Sequence, residues 1–171
     1  QDPARMALNF AGVTNAGSDQ NNEIIIRGNS PKGLLWRMEG IEIPNPNHFG
    51  DGQGSTSGII SMINSTSLAN SDFMSGAFPA EYGNASSGVF DLRFRRGNNE
   101  KREWMAQLSV VGIDLASEGP IGKNGGSYRA GARYSTLELL LKSGLININS
   151  GNFKPAYRDL NYTIDIPLKK A

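Results

Sequence analysis

The sequence predicts a small α+β domain followed by a series of antiparallel β-strands. Short stretches rich in β-branched and aromatic residues lie between turn signals in the first half. A charged, turn-rich segment at 97–102 follows, and after it four segments alternate regularly between apolar and polar residues. A chain of 171 residues can hold one domain or one and a half. We therefore divide it into residues 1–97 and 98–171.

The composition excludes several classes of function. The chain has no cysteine, so disulfides, thiolate zinc sites and cysteine nucleophiles are absent. A net charge of +1 provides no field that would attract nucleic acid, and no basic cluster with interleaved aromatics is present. No apolar run approaches the roughly 20 residues of a membrane-spanning helix.

The first residues predict a short helix. Asp2 is the expected N-cap, Pro3 occupies the first turn, and Gly12 ends the helix. Residues 14–22 predict a polar loop, and residues 23–28 predict a short strand of β-branched side chains.

A hairpin is predicted over residues 34–44, with Glu39 and Gly40 at its turn. Residues 59–63 fit either a helical turn or a strand, and residues 68–74 predict a strand. The hairpin residues expected to share one face are Trp36, Met38, Ile41 and Ile43.

The stretch that ends the first half combines a turn with an alternating strand. Residues 79–84 carry Pro, Gly and Asn, which favour turns. Residues 89–95 then alternate, which predicts a half-buried strand. Its apolar face would hold Phe90, Leu92 and Phe94, and its charged face Asp91, Arg93 and Arg95.

Four segments of about ten residues in the second half share one pattern, with one apolar face and one polar face. This pattern fits the wall of a transmembrane β-barrel, whose lumen would meet the charged side. It also fits a soluble antiparallel sheet with one wet face, and these segments alone favour the soluble sheet. The charged residues expected on the lumen side are Asp114, Arg129, Arg133 and Asp165.

The connections between these segments differ in length. We expect turns at 112–113 and 122–127. The alternating segment that precedes the second turn should end at 118–120. The long excursion over 136–157 should contain a short helix at 137–142 that Gly144 ends. Long loops on one side and short turns on the other agree with a membrane barrel.

Several motifs carry a resemblance to a known family. The stretch Pro-Ala-Glu-Tyr-Gly-Asn-Ala-Ser-Ser-Gly-Val-Phe-Asp-Leu at 79–92 resembles the last motif of the plug domain in TonB-dependent outer-membrane transporters. Glu-Gly-Pro at 118–120 and Arg-Tyr-Ser at 133–135 look like versions common in Bacteroidetes-type transporters. Ile-Arg-Gly at 26–28 and Glu-Gly at 39–40 resemble earlier motifs of that plug. The sequence departs from the family where Glu39 replaces Asp, and where Ser-Gly-Ala at 75–77 replaces Arg-Gly-Pro.

The resemblance implies a function and a location. Residues 1–97 would be a plug inside the lumen of a barrel in the Gram-negative outer membrane, and residues 98–171 the first four or so wall strands. Such a transporter takes up a scarce small molecule, glycan or peptide, and the TonB complex drives it through an N-terminal segment that is missing here. No cofactor is implied. Four strands cannot close a barrel, which needs about eight or more, so the remainder of the barrel is an expected partner.

The loop at 45–54 is long and polar and carries the single histidine. In the resembling family, loops of this kind face the ligand. The alternative is a structural Asn-Pro turn with the aromatic ring in the core. The candidate ligand contacts are Asn45, Asn47, His48 and Phe49.

Charged side chains provide candidates for contacts between plug and barrel. Arg27 matches a family arginine held by carboxylates inside the barrel, although a water-facing arginine at a strand end is the alternative. The full set is Arg27, Glu81, Asp91, Arg93, Arg95, Arg129 and Arg133.

Two other classes of function were weighed. A soluble α+β binding or adhesion module with an exposed sheet would share the same alternation. An enzyme is disfavoured, because one histidine and no paired-carboxylate motif provide no nucleophile–base pair. We also expect the chain to self-associate, recruit a partner or occur only within an assembly, since it would expose two strand edges and an apolar face.

Overall fold

A computed structural model of the chain describes residues 2–16, 22–50, 57–109, 112–144 and 156–168. The chain divides into two compact units, Gln1–Arg95 (unit 1) and Arg96–Ala171 (unit 2). Neither of the two helices in the described parts is long and apolar enough to cross a membrane.

Unit 1 is built from short elements. Its described elements, in chain order, are α1 (Pro3–Ala7), β1 (Val13–Asn15), β2 (Ile24–Ile26), β3 (Leu34–Met38), β4 (Ile41–Ile43), β5 (Asn47–His48), β6 (Ile60–Ser61), β7 (Asp72–Met74) and β8 (Gly88–Leu92), with 3₁₀ turns at Pro31–Gly33 and Ser65–Ser67.

A mixed four-stranded sheet is the centre of unit 1, with the strand order β4-β3-β8-β7. Strands β3 and β8 are parallel, and their neighbours are antiparallel to them. Two small antiparallel pairs, β1 with β2 and β5 with β6, complete the unit. Because β8 lies between β3 and β7, it is a central strand.

The main core of unit 1 covers one face of this sheet. The Trp36 and Phe90 rings stack at 4.2 Å between centroids, and Phe73 packs on Phe90 at 4.7 Å. Each large apolar side chain that is fully buried contributes about 1.5–3 kcal/mol. The buried members are Ala4, Ala7, Val13, Ile24, Ile26, Leu34, Trp36, Ile63, Phe90 and Leu92.

The predicted hairpin is confirmed. Met38 pairs with Ile41 and Trp36 with Ile43, so these four side chains share a face. Glu39 (φ 50°) and Gly40 (φ 82°) both take the left-handed conformation that a type I′ turn requires. The Glu39 carboxylate also accepts a hydrogen bond from the backbone N–H of Phe94 at 2.6 Å. That contact gives Glu a role at a turn position where Asp is the better turn former.

The N-terminal helix is present but shorter than predicted, since it ends at Ala7 rather than near Gly12. Asp2 occupies the N-cap position, but its side chain makes no capping hydrogen bond to the helix. Its carboxylate instead accepts hydrogen bonds from the Asn22 amide (2.9 Å) and the Ser61 backbone N–H (3.2 Å). Asp2 therefore ties the helix to distant parts of unit 1.

Two other predictions in unit 1 need adjustment, and one alternative that the sequence left open is decided. The prediction of a polar loop over 14–22 is wrong for its first two residues, because Thr14 and Asn15 pair with β2. Residues 17–21 lie outside the described residues. The segment at 59–63 contains a strand, β6, rather than a helical turn. The strand expected at 68–74 is restricted to β7, with a single bridge from Leu68 to Phe94 before it.

Strand β8 is fully buried, so the prediction of a half-buried strand over 89–95 is wrong. A second cluster of Leu35, Tyr82 and Val89 covers the face that was expected to be wet. The alternation of side chains is present, but a central strand with both faces covered buries Asp91 as well as Phe90.

Unit 2 is an antiparallel sheet in which consecutive strands are neighbours, in the order β12-β11-β10-β9. One short helix lies between its last two strands and confirms the predicted helix at 137–142. Residues 145–155 of the predicted excursion lie outside the described residues. The elements are β9 (Glu103–Leu108), β10 (Gly112–Ile121), β11 (Gly126–Ser135), α2 (Leu137–Lys142) and β12 (Arg158–Asp165).

The predicted turn at 112–113 is wrong, because both residues belong to β10. The β9–β10 connection instead closes between Ser109 and Gly112, where the serine hydroxyl bonds to the glycine backbone. A Cβ on Gly112 would lie 2.6 Å from the Tyr157 hydroxyl, so glycine is needed there for close approach and does not break the strand. Strand β10 also runs beyond 118–120, to Ile121.

The alternation predicted for the second half is confirmed. The exposed face is the apolar one, however, which is the opposite of an ordinary soluble sheet. The apolar side chains are exposed: Trp104 is 81% exposed and Leu160 79%. The charged side chains on the opposite face are buried, with Glu118 7% and Arg129 4% exposed. A sheet with one face in water normally buries its apolar side.

Candidate functional site

Two polar clusters stand out, one in each unit. In unit 1, a cluster forms around Asp91, and we call it the Asp91 cluster. It consists of Arg37, Glu81, Tyr82, Asp91 and Arg93. The parallel register of β3 and β8 places Arg37 directly beside Asp91. The turns over 79–85, formed where turn residues were predicted, bring Tyr82 over the same face.

Asp91 is a buried carboxylate with incomplete hydrogen bonding. Its side chain accepts a hydrogen bond from the Tyr82 hydroxyl at 3.0 Å, and an Arg93 nitrogen lies 4.0 Å away. Its other carboxylate oxygen, Oδ1, has no hydrogen-bond partner among the described residues. Burial of a charge that is only partly satisfied is costly. The Tyr82 hydroxyl is therefore its main stabilising contact.

Arg37 completes the cluster from the neighbouring strand. One of its guanidinium nitrogens lies 3.1 Å from the Glu81 carboxylate, and its guanidinium carbon lies 5.1 Å from the Tyr82 ring centroid. The hydrogen bond to Glu81 raises the pKa of Arg37. The hydrogen bond to Asp91, followed by burial, raises the pKa of Tyr82.

The raised pKa of Tyr82 agrees with its hydroxyl acting as a hydrogen-bond donor to Asp91. A tyrosine with a raised pKa keeps its proton at neutral pH, so it is a hydrogen-bond donor and a poor nucleophile. The described residues contain no group of His, Cys, Asp or Glu that could hold a metal ion.

Unit 2 carries the second cluster, on the sheltered face of its sheet, and we call it the charge ladder. It consists of Asp114, Glu118, Arg129, Arg133 and Asp159. Arg133 lies on β11 between two carboxylates, 2.7 Å from Asp159 on β12 and 3.8 Å from Asp114 on β10. All three are directly opposite one another in the strand register.

Four residues along β11, a second pair repeats this arrangement. Arg129 lies 3.1 Å from Glu118, and their side chains are 5% and 9% exposed. The Tyr157 ring lies 5.2 Å from the Arg133 guanidinium and adds a cation–π contact. The ladder thus places opposite charges directly across neighbouring strands, which is the favourable arrangement in a sheet.

The candidates for contacts between plug and barrel fall into different environments. Glu81, Asp91 and Arg93 come together in the Asp91 cluster. Arg95 donates to the Thr66 carbonyl at 2.9 Å.

The two arginines predicted in the second half belong to the charge ladder. Arg129 and Arg133 pair with carboxylates of their own sheet. Arg27 is exposed at the turn after β2, with φ 50°, beside Gly76. Whether any of the seven candidates joins plug to barrel stays a prediction.

The candidate ligand loop is partly built into unit 1. Asn45 caps the turn into β5, accepting from the Asn47 N–H at 2.9 Å and donating to the Ser57 carbonyl at 2.8 Å. Asn47 is buried, and its amide oxygen accepts from Asn22 at 3.3 Å. This geometry favours the structural Asn-Pro turn for these two residues.

The two rings of the same loop are half-buried. The His48 and Phe49 centroids lie 5.9 Å apart, and Phe49 has φ 60°. Residues 51–54 lie outside the described residues. Ligand contact by any of the four candidates stays a prediction.

Sequence reasoning missed Arg37, Glu118 and Asp159. Arg37 stands between Trp36 and Met38 in a strand that was interpreted through its apolar residues alone. Glu118 was treated as the end of a segment rather than as part of β10. The sequence did contain a signal for Glu118. It lies four positions after Asp114, so strand alternation puts both side chains on the same face.

Comparison with known proteins bears on the fold. No protein-family model matches the sequence, and no curated protein matches it. Among solved structures, the chain is similar to the ferric enterobactin receptor PfeA in complex with BCV-L6, with a TM-score of 0.55 and 16% identity. The likeness covers 98% of this chain and 28% of that receptor. The chain therefore has the fold of a segment of such a receptor, which agrees at this level with the resemblance to TonB-dependent receptors.

We predict that Tyr82→Phe lowers the free energy of unfolding of unit 1, because the buried Asp91 carboxylate loses its hydroxyl donor. The raised pKa of Tyr82 means that folding favours the neutral phenol. Its contribution is complete below the ordinary tyrosine pKa of about 10 and is lost as pH rises through the raised folded value. The difference between the two proteins should therefore shrink at high pH.

Urea unfolding at several pH values, followed by Trp36 fluorescence in a Trp104→Phe background, measures this difference. Tyr162→Phe removes an exposed hydroxyl in unit 2 and should leave the unfolding of unit 1 unchanged. Equal stability of Tyr82→Phe and the parent at neutral pH would contradict the role assigned to this hydrogen bond.

We predict that Arg129→Gln destabilises unit 2 by about 3–5 kcal/mol, since it removes the guanidinium that lies 3.1 Å from the buried Glu118 carboxylate. The double variant Glu118→Gln/Arg129→Gln should cost less than the sum of the two single changes. Arg96→Gln is the matched control, because Arg96 and Asp165 lie at the same 3.1 Å but Arg96 is 82% exposed. That change should cost less than about 1 kcal/mol.

Unfolding in detergent micelles, followed by Trp104 fluorescence in a Trp36→Phe background, gives these values. Equal losses for Arg129→Gln and Arg96→Gln would show that the buried pair has no special weight.

Proposed function

We propose that the chain is the plug and initial barrel segment of a TonB-dependent outer-membrane transporter for active uptake of a ligand. Unit 1 is the plug inside the barrel lumen, and unit 2 contains the first strands of the barrel wall. The TonB complex acts through a segment N-terminal to the chain, and the remainder of the barrel supplies the other wall strands. The cargo is a small molecule, glycan or peptide.

The observation that carries this proposal is the reversed sheet of unit 2. Apolar side chains on all four strands are exposed, while the charge ladder on the opposite face is sheltered. A barrel wall in a membrane needs this arrangement, because lipid contacts the outer face and a polar lumen contacts the inner face. A soluble adhesion module would bury the apolar face instead.

Strand length supports the same conclusion. A β-strand that crosses a bilayer needs about 9–11 residues when it is tilted. Strands β10 and β11 have 10 residues each and pair over their whole length. In contrast, the strands of unit 1 have at most five residues within its described part. This difference supports the proposal that unit 2 spans the membrane.

Unit 1 has features that suit a plug. Its mixed sheet is short, and its central strand carries the Asp91 cluster, in which Arg37 and Glu81 reach the surface. Exposed ion pairs contribute little to stability and exchange readily with water. The half-buried rings of His48 and Phe49 are the proposed ligand contacts. No step of this function requires a catalytic residue.

We predict that lipid contacts Trp104 and not Trp36. Trp104 is 81% exposed on the apolar face, and Trp36 is 1% exposed in the core of unit 1. In a phosphatidylcholine bilayer, brominated lipids should quench the fluorescence of the Trp36→Phe variant, which retains Trp104. They should leave the fluorescence of Trp104→Phe nearly unchanged.

Acrylamide, a quencher confined to water, separates this outcome from its alternative. Strong acrylamide quenching of Trp104 in the bilayer sample, with none by brominated lipid, would support a soluble sheet and contradict the proposal.

A further inference from the structure

Arg158 interrupts the apolar face of unit 2. It is the first residue of β12 and pairs with Tyr134 near the end of β11. Two-residue alternation puts it on the same face as the exposed Leu160, Tyr162 and Ile164. Among the described residues of the four strands, Arg158 is the only charged side chain on this face.

The other arginines of unit 2 whose partners are known show how different Arg158 is. Arg129 and Arg133 pair with carboxylates on the sheltered face, and Arg96 pairs with Asp165. Arg158 has no carboxylate within ion-pair distance among the described residues. Its guanidinium instead lies 5.2 Å from the Tyr134 ring centroid. That contact orients the guanidinium and leaves its hydrogen-bond donors without a partner among the described residues.

The position of Arg158 along the strand suits a membrane boundary. An arginine on the lipid face is costly at the middle of a bilayer and nearly free at its edge. Arg158 and Tyr134 lie at one end of the ten-residue strand β11. Tyrosine is favoured at the same level, because its ring sits among headgroups.

We propose that Arg158, held over the Tyr134 ring, binds the phosphate of a lipid headgroup at the edge of the apolar face. A guanidinium matches phosphate through two parallel hydrogen bonds, and its long stem can lie on apolar surface while the head reaches outward. This inference rests on the proposed membrane location of unit 2, and it names one lipid group that the wall recognises.

Flotation with lipid vesicles tests the proposal. The 171-residue chain is mixed with vesicles of phosphatidylcholine, or of phosphatidylcholine containing phosphatidic acid, whose phosphate is exposed. The parent should bind the second kind more strongly. Arg158→Gln should bind phosphatidylcholine vesicles like the parent. Its preference for vesicles with phosphatidic acid should be about five-fold smaller than that of the parent.

Lys32→Gln is the matched control, because it removes one exposed positive charge from unit 1. It should keep the full preference, which separates a local site from a general charge effect. Inorganic phosphate alone, added to the phosphatidylcholine samples, should leave binding unchanged.

The outcomes separate this inference from the proposal beneath it. If the parent binds phosphatidylcholine vesicles but Arg158→Gln retains the preference for phosphatidic acid, the lipid-phosphate site is refuted and the membrane location stands. If Lys32→Gln loses as much preference as Arg158→Gln, the local site is likewise refuted. If the parent binds neither kind of vesicle, both proposals fail.

Discussion

Buried charge must be paired, and in unit 2 this requirement fixes the register of the strands. Glu118 and Arg129 are both sheltered and lie 3.1 Å apart across β10 and β11. Arg133 is held the same way between carboxylates of the strands on either side. These pairs form only in the observed register, because a shift by one residue would move every charge to the apolar face. The same alternation puts the apolar residues on the opposite face, where they are exposed.

The same requirement acts in unit 1 with a different outcome. Asp91 lies on a central strand with both faces covered, and the Tyr82 hydroxyl is its main donor. A partly satisfied carboxylate in a covered strand weakens the fold locally. If unit 1 is the plug we propose, such a weak point would let it yield during transport. In unit 2, each carboxylate of the charge ladder instead lies beside an arginine of β11.

Local chemistry was well predicted from the sequence. The Glu39-Gly40 turn was found because a two-residue hairpin needs particular backbone conformations, which leave a signal in adjacent residues. The faces of the strands in unit 2 were found because alternation has a fixed period. The ladder residues Asp114, Arg129 and Arg133 were placed on the correct face for that reason.

Long-range pairing was not predictable in the same way. The contact between Arg37 and Glu81 joins residues 44 positions apart and depends on the parallel register of β3 and β8. No local pattern encodes that register. Gly112 was misinterpreted as a strand breaker because its actual role, close approach to Tyr157, involves a residue from a distant part of the chain.

The central claim is that the apolar face of unit 2 contacts lipid and the charged face does not. Because the chain has no cysteine, single cysteines can be placed at each position of β12 from 159 to 164 and labelled with a nitroxide. In bilayers, collision with oxygen, which concentrates in lipid, should peak at 160, 162 and 164, and collision with a water-soluble nickel chelate should not. Oxygen maxima at 159, 161 and 163, or equal values along the strand, would contradict the account.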